Sequence, residues 1–487
     1  MEDSNRVSTG VPGLDTILGG GLPGPRLYLL RGAAGTGKTT LALQFLMEGV
    51  RQGEAVLYVS LAQSEDELRQ MAASHGWSLD GIAIVSLAGE DPTDMTEQTI
   101  FQSADLRLDR TRDTIQNIVK DIQPRRVVYD SLLEVRLLAA DAMRLRREIL
   151  GFKSFLGTQG VTTLLLDTEH LSSADTGAED QLENIAHGLI RLERQLPAYG
   201  IARRRVEVKK MRGTPINDGY HDLSIRQGEG VTIYPRIVPN TRHEEGIDGE
   251  LIKCNIENLD GMLGGGLDAG TTALLMGQSG TGKSTLASLY IRAALERGER
   301  VGMFLFEERQ ETFFRRSEGL GIKLREYYDA GQLMLRDFNP TEVSPGEFAG
   351  IVRESVEEHN ARVIAIDSFT GYLSALPESQ EAITQMHSLL KYITRRGVLT
   401  MLIVAQHGLL GYEAHTDLDM SFLGDSVLLL RMFEWPGVVR RTITVVKKRH
   451  GPHDLDVHEY IIGSEGVKVE PFNQPPPGES GGYYPKG

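Results

Sequence analysis

Two short glycine-rich segments have the residue types and the spacing needed to hold a nucleoside triphosphate. They cover residues 32–39 and 277–284, and their lysines stand 245 residues apart. Both fit G-x-x-x-x-G-K-[ST], in which backbone N–H groups surround the phosphates, the lysine reaches the β- and γ-phosphates, and the hydroxyl binds Mg²⁺. The pattern predicts two nucleotide sites with Mg²⁺, formed by Gly32, Gly35, Thr36, Gly37, Lys38, Thr39, Thr40, Gly277, Ser279, Gly280, Thr281, Gly282, Lys283, Ser284 and Thr285.

Each copy also has an apolar run that ends in aspartate and serine. The first run ends at Asp130 and the second at Asp367. A carboxylate at the end of a strand beside a phosphate loop supports Mg²⁺ or its water shell. Together with the loop hydroxyls of Thr39 and Ser284, these two aspartates are the predicted metal-site residues.

The copies differ at the end of the strand that follows the loop helix. The second copy has Glu307-Glu308, and at the same 245-residue offset the first has Ala62-Gln63. A carboxylate there can act as a general base, whereas alanine cannot accept a proton. We therefore predict that the second site, with Glu307, Glu308 and Lys283, does the chemistry, and that the first mainly binds nucleotide. The alternative is that the glutamate pair is a solvated strand end.

Both copies end in a basic strand with the pattern Lys-x-Arg. The pairs are Lys210 with Arg212 and Lys447 with Arg449, 237 residues apart. One interpretation is that these cations stabilise charge at the γ-phosphate of a neighbouring subunit, as an arginine finger does. They could instead be solvated charges, or part of a nucleic-acid groove with Arg203-Arg204-Arg205.

The elements that must position these residues also occur twice. Apolar runs at 26–30 and 271–276 predict strands that feed the loops, and 39–51 and 284–297 predict the helices that follow. Further strands are predicted at 55–61, 127–130, 161–166 and 188–192, with counterparts at 300–306, 363–367, 398–404 and 427–430. Strands that alternate with helices indicate an α/β fold: two tandem domains, each a mostly parallel sheet flanked by helices.

The predicted domains are residues 1–240 and 241–470, with a Pro- and Gly-rich disordered tail at 471–487. The offset falls from 245 at the lysines to 237 at the aspartates, so the first copy has eight extra residues, which we assign to an irregular loop at 89–113. The net charge of −15 argues against general nucleic-acid binding. With one cysteine, Cys254, and no long apolar run, we expect a cytosolic chain with no internal disulfide and no membrane span.

As a set, these motifs resemble the KaiC-like group of the RecA-like ATPases. The resemblance rests on the two loops, on their Leu-Asp to Gly-Gly-Gly-Leu lead-ins, and on the acidic and Lys-x-Arg motifs. It implies two tandem RecA-like P-loop NTPase domains in a homohexamer, with ATP at the subunit interfaces and Lys210, Arg212, Lys447 and Arg449 acting in trans. Regulatory partner proteins are not identified by these motifs.

The resemblance further implies Ser/Thr autokinase activity in the second domain. Where the family has an adjacent Ser-Thr pair, this chain has Ser421-Phe422, so Ser421 is the phosphorylation candidate; Thr416 also falls where the family has a threonine. The alternative is that Ser421 is an ordinary surface or helix-capping serine. The other departure from the family is Ala62-Gln63. Two further functions stay open: a nucleotide-controlled signalling scaffold with little turnover, and a RecA-like DNA-dependent ATPase.

Overall fold

The computed structural model describes residues 5–87, 104–139, 142–169, 182–197, 201–238, 249–374, 376, 379–406, 420–435, 437–463 and 466–472. The chain divides into two compact units between Arg236 and Ile237. Residues 239–248 around the predicted domain boundary, Thr416 and the predicted tail beyond residue 472 lie outside the described residues.

The first unit is built on a nine-stranded sheet with the order β5-β4-β6-β7-β3-β8-β9-β10-β11. The six strands from β5 to β8 run parallel, and the last three are antiparallel. A two-stranded sheet pairs β1 with β2. The strands are β1 (Arg6–Val7), β2 (Leu22–Pro23), β3 (Leu27–Gly32), β4 (Val56–Ser60), β5 (Ile82–Ser86), β6 (Arg126–Asp130), β7 (Thr162–Thr168), β8 (Gly188–Gln195), β9 (Arg203–Met211), β10 (Tyr220–Arg226) and β11 (Gly230–Tyr234).

The second unit repeats this topology in a sheet with the order β16-β15-β17-β18-β14-β19-β20-β21-β22. Again six strands are parallel and three antiparallel. Its strands are β12 (Leu251–Ile252), β13 (Leu267–Asp268), β14 (Thr272–Gly277), β15 (Arg300–Leu305), β16 (Leu333–Asp337), β17 (Ala361–Asp367), β18 (Leu399–Ala405), β19 (Ser426–Trp435), β20 (Val438–Lys448), β21 (His458–Gly463) and β22 (Gly466–Pro471). The predicted α/β class with mostly parallel sheets is confirmed.

Helices cover both faces of each sheet, which is why the central strands are continuous apolar runs. In β14, Leu274 belongs to one buried cluster while Ala273 and Leu275 belong to the other. The helices are α1 (Leu14–Ile17), α2 (Lys38–Arg51), α3 (Glu65–Ser74), α4 (Ala104–Ile122), α5 (Leu132–Leu138), α6 (Ala142–Thr158), α7 (Glu257–Met262), α8 (Lys283–Glu296), α9 (Gln310–Gly319), α10 (Arg325–Asp329), α11 (Pro345–Glu357), α12 (Phe369–Ser374) and α13 (Ser379–Thr394). No helix in these described ranges is long and apolar enough to cross a bilayer.

The prediction of an irregular loop at 89–113 is wrong for residues 104–113. Residues 104–113 form the start of α4, and residues 88–103 lie outside the described residues. The segment is polar and charged, which concealed its helical period. Leu108, Ile115 and Val119 are buried at helical spacing, and they join the core on one face of the first sheet.

Candidate nucleotide sites

Both phosphate loops join the end of a central strand to the start of a helix. In the second copy, Gly277 ends β14 and Gly282 caps α8 with a φ of 100°. A Cβ atom on Gly282 would lie 2.5 Å from Ile462 and 2.7 Å from Tyr460. Gly37 has the same role before α2, with a φ of 104°. Glycine is required at these positions by both the backbone conformation and the close packing, and the helix amino ends they form suit phosphate.

The loop lysines have the same contacts in the two copies. The Lys283 Nζ donates to the carbonyl oxygens of Gly277 at 2.8 Å and Gln278 at 2.7 Å. The Lys38 Nζ donates to those of Gly32 at 2.7 Å and Ala33 at 3.0 Å. Burial lowers the pKa of both lysines, and nearby carboxylates oppose that effect. Each ammonium therefore lies inside its loop, where it can contact phosphate.

The two predicted metal-site aspartates lie beside the loop hydroxyls. The Ser284 hydroxyl hydrogen-bonds the Asp367 carboxylate, and Thr39 does the same with Asp130. Burial is the main cause that raises the pKa of Asp367 to about 6, and it also raises the pKa of Asp130. In the first copy the Tyr58 hydroxyl also donates to Asp130 at 2.6 Å. One carboxylate and one hydroxyl are a donor set that suits Mg²⁺, which keeps several waters and binds substrate phosphates.

The predicted general bases have different partners. The Ser368 hydroxyl donates to Glu307 Oε1, and the backbone N–H of Gly371 donates to Ser368 Oγ at 3.0 Å. Glu308 is instead paired with Arg316 at 2.5 Å. Glu307 is exposed at the edge where nucleotide would bind, and its charge acts on Lys283. The structure therefore brings Glu307 to the loop lysine and the aspartate–serine segment, and directs Glu308 towards Arg316.

A carboxylate also lies on the corresponding serine of the first copy, and sequence reasoning missed it. The Ser131 hydroxyl donates to Glu134 Oε2 at 2.5 Å. Glu134 comes from the first turn of α5, not from the strand end where Ala62 stands. A comparison of the two copies at the 237-residue offset would have shown this difference, because Glu134 follows Asp130 by four residues and Gly371 follows Asp367 by four.

Comparison with known proteins agrees with this geometry. The sequence model of the family described as "ATPase: KaiC" matches residues 7–237 and 252–474. The chain belongs to the KaiC family of ATPases. It is 28% identical over 475 residues to circadian clock protein KaiC3 of Synechocystis sp., covering 96% of this chain and 92% of that protein. It is 28% identical over 474 residues to circadian clock oscillator protein KaiC of Picosynechococcus sp., covering 96% and 89%.

Within this KaiC-family chain, the strand that feeds the first loop carries a buried ionic cluster. Arg31 pairs with Asp167 at 2.9 Å and with Glu183 at 2.7 Å, and Arg136 pairs with Asp167 at 2.8 Å. The side chain of Asp167 is only 1% exposed. In the second copy the equivalent residues are apolar: Met276 corresponds to Arg31, Val404 to Asp167 and Leu373 to Arg136. All three belong to or pack against the core of that domain. The two domains thus support the same site with different packing.

The Lys-x-Arg pairs lie away from the phosphate loop of their own chain. Lys447 pairs with Val427 near the start of β19, whereas Gly277 pairs with Leu430. Three residues of strand span about 10 Å. Lys210 has the same register in the first copy, opposite Leu189. These cations therefore lie towards the amino ends of the parallel strands, whereas the phosphate loop of the same domain lies at the carboxyl ends.

At that edge, the pair in the second copy contacts the segment that contains Ser421. Ser421–Leu423 is a 3₁₀ helix, and Ser421 is exposed. The Lys447 Nζ donates to the carbonyl oxygens of Ser421 at 3.1 Å and Gly424 at 2.7 Å. Arg449 forms an ion pair with Asp425 at 3.2 Å. Ser421 is the first residue of this 3₁₀ helix, and Met420 occupies its N-cap position.

In the first copy Lys210 and Arg212 also donate to backbone carbonyl oxygens, those of Glu183 and Asn184, but a histidine stands in place of Asp425. The N–H of Leu27 donates to His187 Nδ1 at 3.1 Å, as the N–H of Thr272 donates to Asp425 at 3.0 Å. Burial, with the charges of Lys153, Arg26 and Arg212, lowers the pKa of His187 to about 4. His187 is therefore neutral near pH 7 and gives Arg212 no anionic partner.

Proposed function

We propose that this KaiC-family chain is a ring-forming ATPase in which the second domain is the main catalytic site. The observation that carries the proposal is the convergence of Lys283, Asp367 and Glu307 at the end of one central sheet. These residues supply a cation for phosphate, a carboxylate for the metal, and a carboxylate for the attacking group. The chain's first site holds nucleotide within the assembly.

Glu307 is the better general base of the glutamate pair. It is exposed towards solvent and hydrogen-bonded to Ser368, so it is positioned but can still contact a water molecule. Glu308 interacts with Arg316, and we assign it a positioning role. In hydrolysis the water oxygen bonds to the γ-phosphorus, its proton passes to Glu307, and the bond to the β-phosphate oxygen breaks to release ADP and phosphate.

Mg²⁺ would be held by Ser284 with Asp367 in the second site and by Thr39 with Asp130 in the first. The ion would neutralise charge on the triphosphate. The residues themselves supply the rest of the chemistry. Lys283 binds phosphate oxygens, and the raised pKa of Asp367 indicates a carboxylate whose ionised form needs a neighbouring cation.

A homohexamer with ATP between subunits is supported by the position of the Lys-x-Arg pairs. Because Lys447 and Arg449 lie at the far edge from their own Lys283, they can contact a γ-phosphate only in a neighbouring subunit. Lys210 and Arg212 have the same placement in the first domain. We propose that all four act in trans, which makes turnover dependent on assembly.

We further propose that the second site phosphorylates Ser421 of a neighbouring subunit. Ser421 is exposed, and Lys447 of the same chain contacts its carbonyl oxygen. In this transfer the Ser421 oxygen replaces water: it bonds to the γ-phosphorus, ADP leaves, and the hydroxyl proton passes to Glu307. Serine and water then compete for one activated phosphate.

The test compares ATP turnover in full-length wild type, Lys38→Ala, Lys283→Ala and Glu307→Gln/Glu308→Gln. We expect loss of about 100-fold or more in the glutamate variant and in Lys283→Ala, and retention of most activity in Lys38→Ala. Survival of most turnover in Lys283→Ala would refute the assignment of the second site. Negligible turnover of the wild type, with intact nucleotide-dependent rings, would favour a scaffold.

Two further measurements use the same proteins. Intact-mass analysis after incubation with ATP should show one added phosphate that is lost in Ser421→Ala, and wild type without added phosphate would remove the kinase proposal. Mass photometry with and without ATP should show nucleotide-dependent hexamers. Clear stimulation of turnover by single-stranded DNA would instead favour a DNA-dependent ATPase.

A further inference from the structure

The serine-bound carboxylate comes from a different element in the two domains. In the second domain, Glu307 reaches Ser368 from the end of β15. In the first domain, Glu134 reaches Ser131 from helix α5. We propose that Glu134 is the general base of the first site, which therefore hydrolyses ATP although Ala62 replaces the strand-end glutamate. This inference extends the proposed ATPase function to a site that the strand-end residues alone would leave without a base.

The two arrangements use equivalent positions in the repeat. Glu134 is equivalent in offset to Gly371, and a Cβ on Gly371 would lie 2.8 Å from Glu307 Oε1 and 3.2 Å from Ser368 Oγ. A side chain from residue 371 would thus enter the space that the Glu307 carboxylate occupies. The first domain has the reverse pairing, with a glutamate at the helix position and a small residue, Ala62, at the strand end.

A helix-capping role does not explain Glu134. Ser131 and Glu134 have the S-x-x-E spacing of a capping box, but the Ser131 side chain makes no hydrogen bond to the backbone of its helix. Ser64 and Glu67 have the same spacing in the same domain and make both capping hydrogen bonds. The Ser131 hydroxyl donates to the carboxylate, as Ser368 does to Glu307, whereas Ser64 makes such a bond to Glu67 in addition to its capping bond.

Glu134 also lies beside the metal-site residue. Its charge is one of the causes that raise the pKa of Asp130, after burial, just as Glu307 and Glu308 act on Asp367. Glu134 is partly exposed, so water can reach it, and Ser131 is buried and holds it in place. The first domain therefore has a serine-bound carboxylate near Asp130 and Thr39, as the second has one near Asp367 and Ser284.

In the proposed step, Glu134 accepts a proton from water as the water oxygen bonds to the γ-phosphorus of ATP. The bond between the γ-phosphorus and the bridging oxygen breaks, and the electron pair stays on ADP. The products are ADP and inorganic phosphate, and the proton returns from Glu134 to solvent. No oxidant, reductant or further reactant is needed.

The test uses full-length protein in which the second site is already disabled by Glu307→Gln/Glu308→Gln. We expect this background to retain slow turnover that disappears when Lys38→Ala is added. Adding Glu134→Gln instead should lower kcat by about 100-fold or more, with little change in KM or in the binding of a fluorescent ATP analogue. The matched control is Glu67→Gln, which changes a glutamate of the same S-x-x-E spacing and should leave kcat unchanged.

A second arm transfers the first arrangement into the second domain. Glu307→Ala should lose activity, and Glu307→Ala/Gly371→Glu should regain at least tenfold of it if the two positions are interchangeable. A double variant no better than Glu307→Ala would overturn that equivalence, on which the inference rests.

The outcomes separate this inference from the proposed function. If the disabled background has no turnover that depends on Lys38, or if Glu134→Gln behaves like Glu67→Gln, the inference is wrong while the second site stands. If the background keeps most of the wild-type turnover and Glu134→Gln abolishes it, the inference holds and the assignment of the main site to the second domain fails.

Discussion

Replacing Gly371 with alanine should lower turnover without unfolding the protein. The new Cβ would lie 2.8 Å from Glu307 Oε1 and 3.0 Å from its Cγ. Non-bonded carbon atoms prefer about 3.5 to 4.0 Å, so the carboxylate must move by about half an ångström or more. Since a misplacement of about 1 Å can cost about 100-fold in rate, we expect kcat to fall about 10- to 100-fold, or about 1.4 to 2.7 kcal/mol.

The Gly371→Ala substitution should affect the stability of the fold much less than it affects turnover. Gly371 lies within α12 and its φ is not in the left-handed region, so alanine is compatible with the backbone. Alanine in a helix is favoured over glycine by roughly 0.5 to 1 kcal/mol, which offsets part of the crowding. The assay is kcat at saturating ATP, paired with the thermal unfolding midpoint. Gly261→Ala in α7 is the control, because its Cβ would have no neighbour within 4 Å.

The reasoning would be refuted if Gly371→Ala kept the wild-type kcat. It would also be refuted if activity and the unfolding midpoint fell together, because that result would indicate general damage to α12. A loss of kcat with an unchanged midpoint, and a silent Gly261→Ala, would support positioning of Glu307 by the space that glycine leaves.

Two further predictions concern the first domain. Asp167→Asn should lower its free energy of unfolding in urea by about 3 kcal/mol, because it removes the buried carboxylate that pairs with both Arg31 and Arg136, whereas Asp109→Asn, with 43% side-chain exposure, should change little. With its pKa lowered from 6.5 to about 4, His187 contributes stability that is full above pH 6.5 and is lost as the pH falls towards 4. His187→Asp should flatten that loss in thermal unfolding between pH 7.5 and 4.5, since aspartate can pair with Arg212 as Asp425 pairs with Arg449; an unchanged pH profile would contradict this.

Much of the fold could be predicted because its signals are local. The loops, the helices that follow them and the strands that end at Asp130 and Asp367 each depend on residues within one short segment. The helix at Ala104–Ile122 was not predicted, and its first ten residues were assigned to a loop, because its apolar residues are sparse among charges. Burial against the sheet outweighs weak local propensity there.

The candidate site was only partly predictable, and Glu134 shows why. A comparison of strand ends assumes that a carboxylate must come from the same element in both copies. The Ser131 hydroxyl donates to a carboxylate on α5 in the first domain, whereas the Ser368 hydroxyl donates to one that follows β15 in the second domain. Which element supplies the carboxylate is a property of packing, and no single segment encodes it.

The recurrence of two phosphate loops with their aspartates can be read from the sequence, because each motif lies in one strand, loop or helix start. The contacts between carboxylates and serines, and the distance of the Lys-x-Arg pairs from their own loops, are visible only in the folded chain. Those relations depend on strand register and on helices packed across a sheet, which join residues more than a hundred positions apart, such as Asp167 and Arg31. Neighbouring parallel strands are joined by long crossover connections, so the residues that meet across the sheet are far apart in the sequence, and neither segment alone specifies the contact.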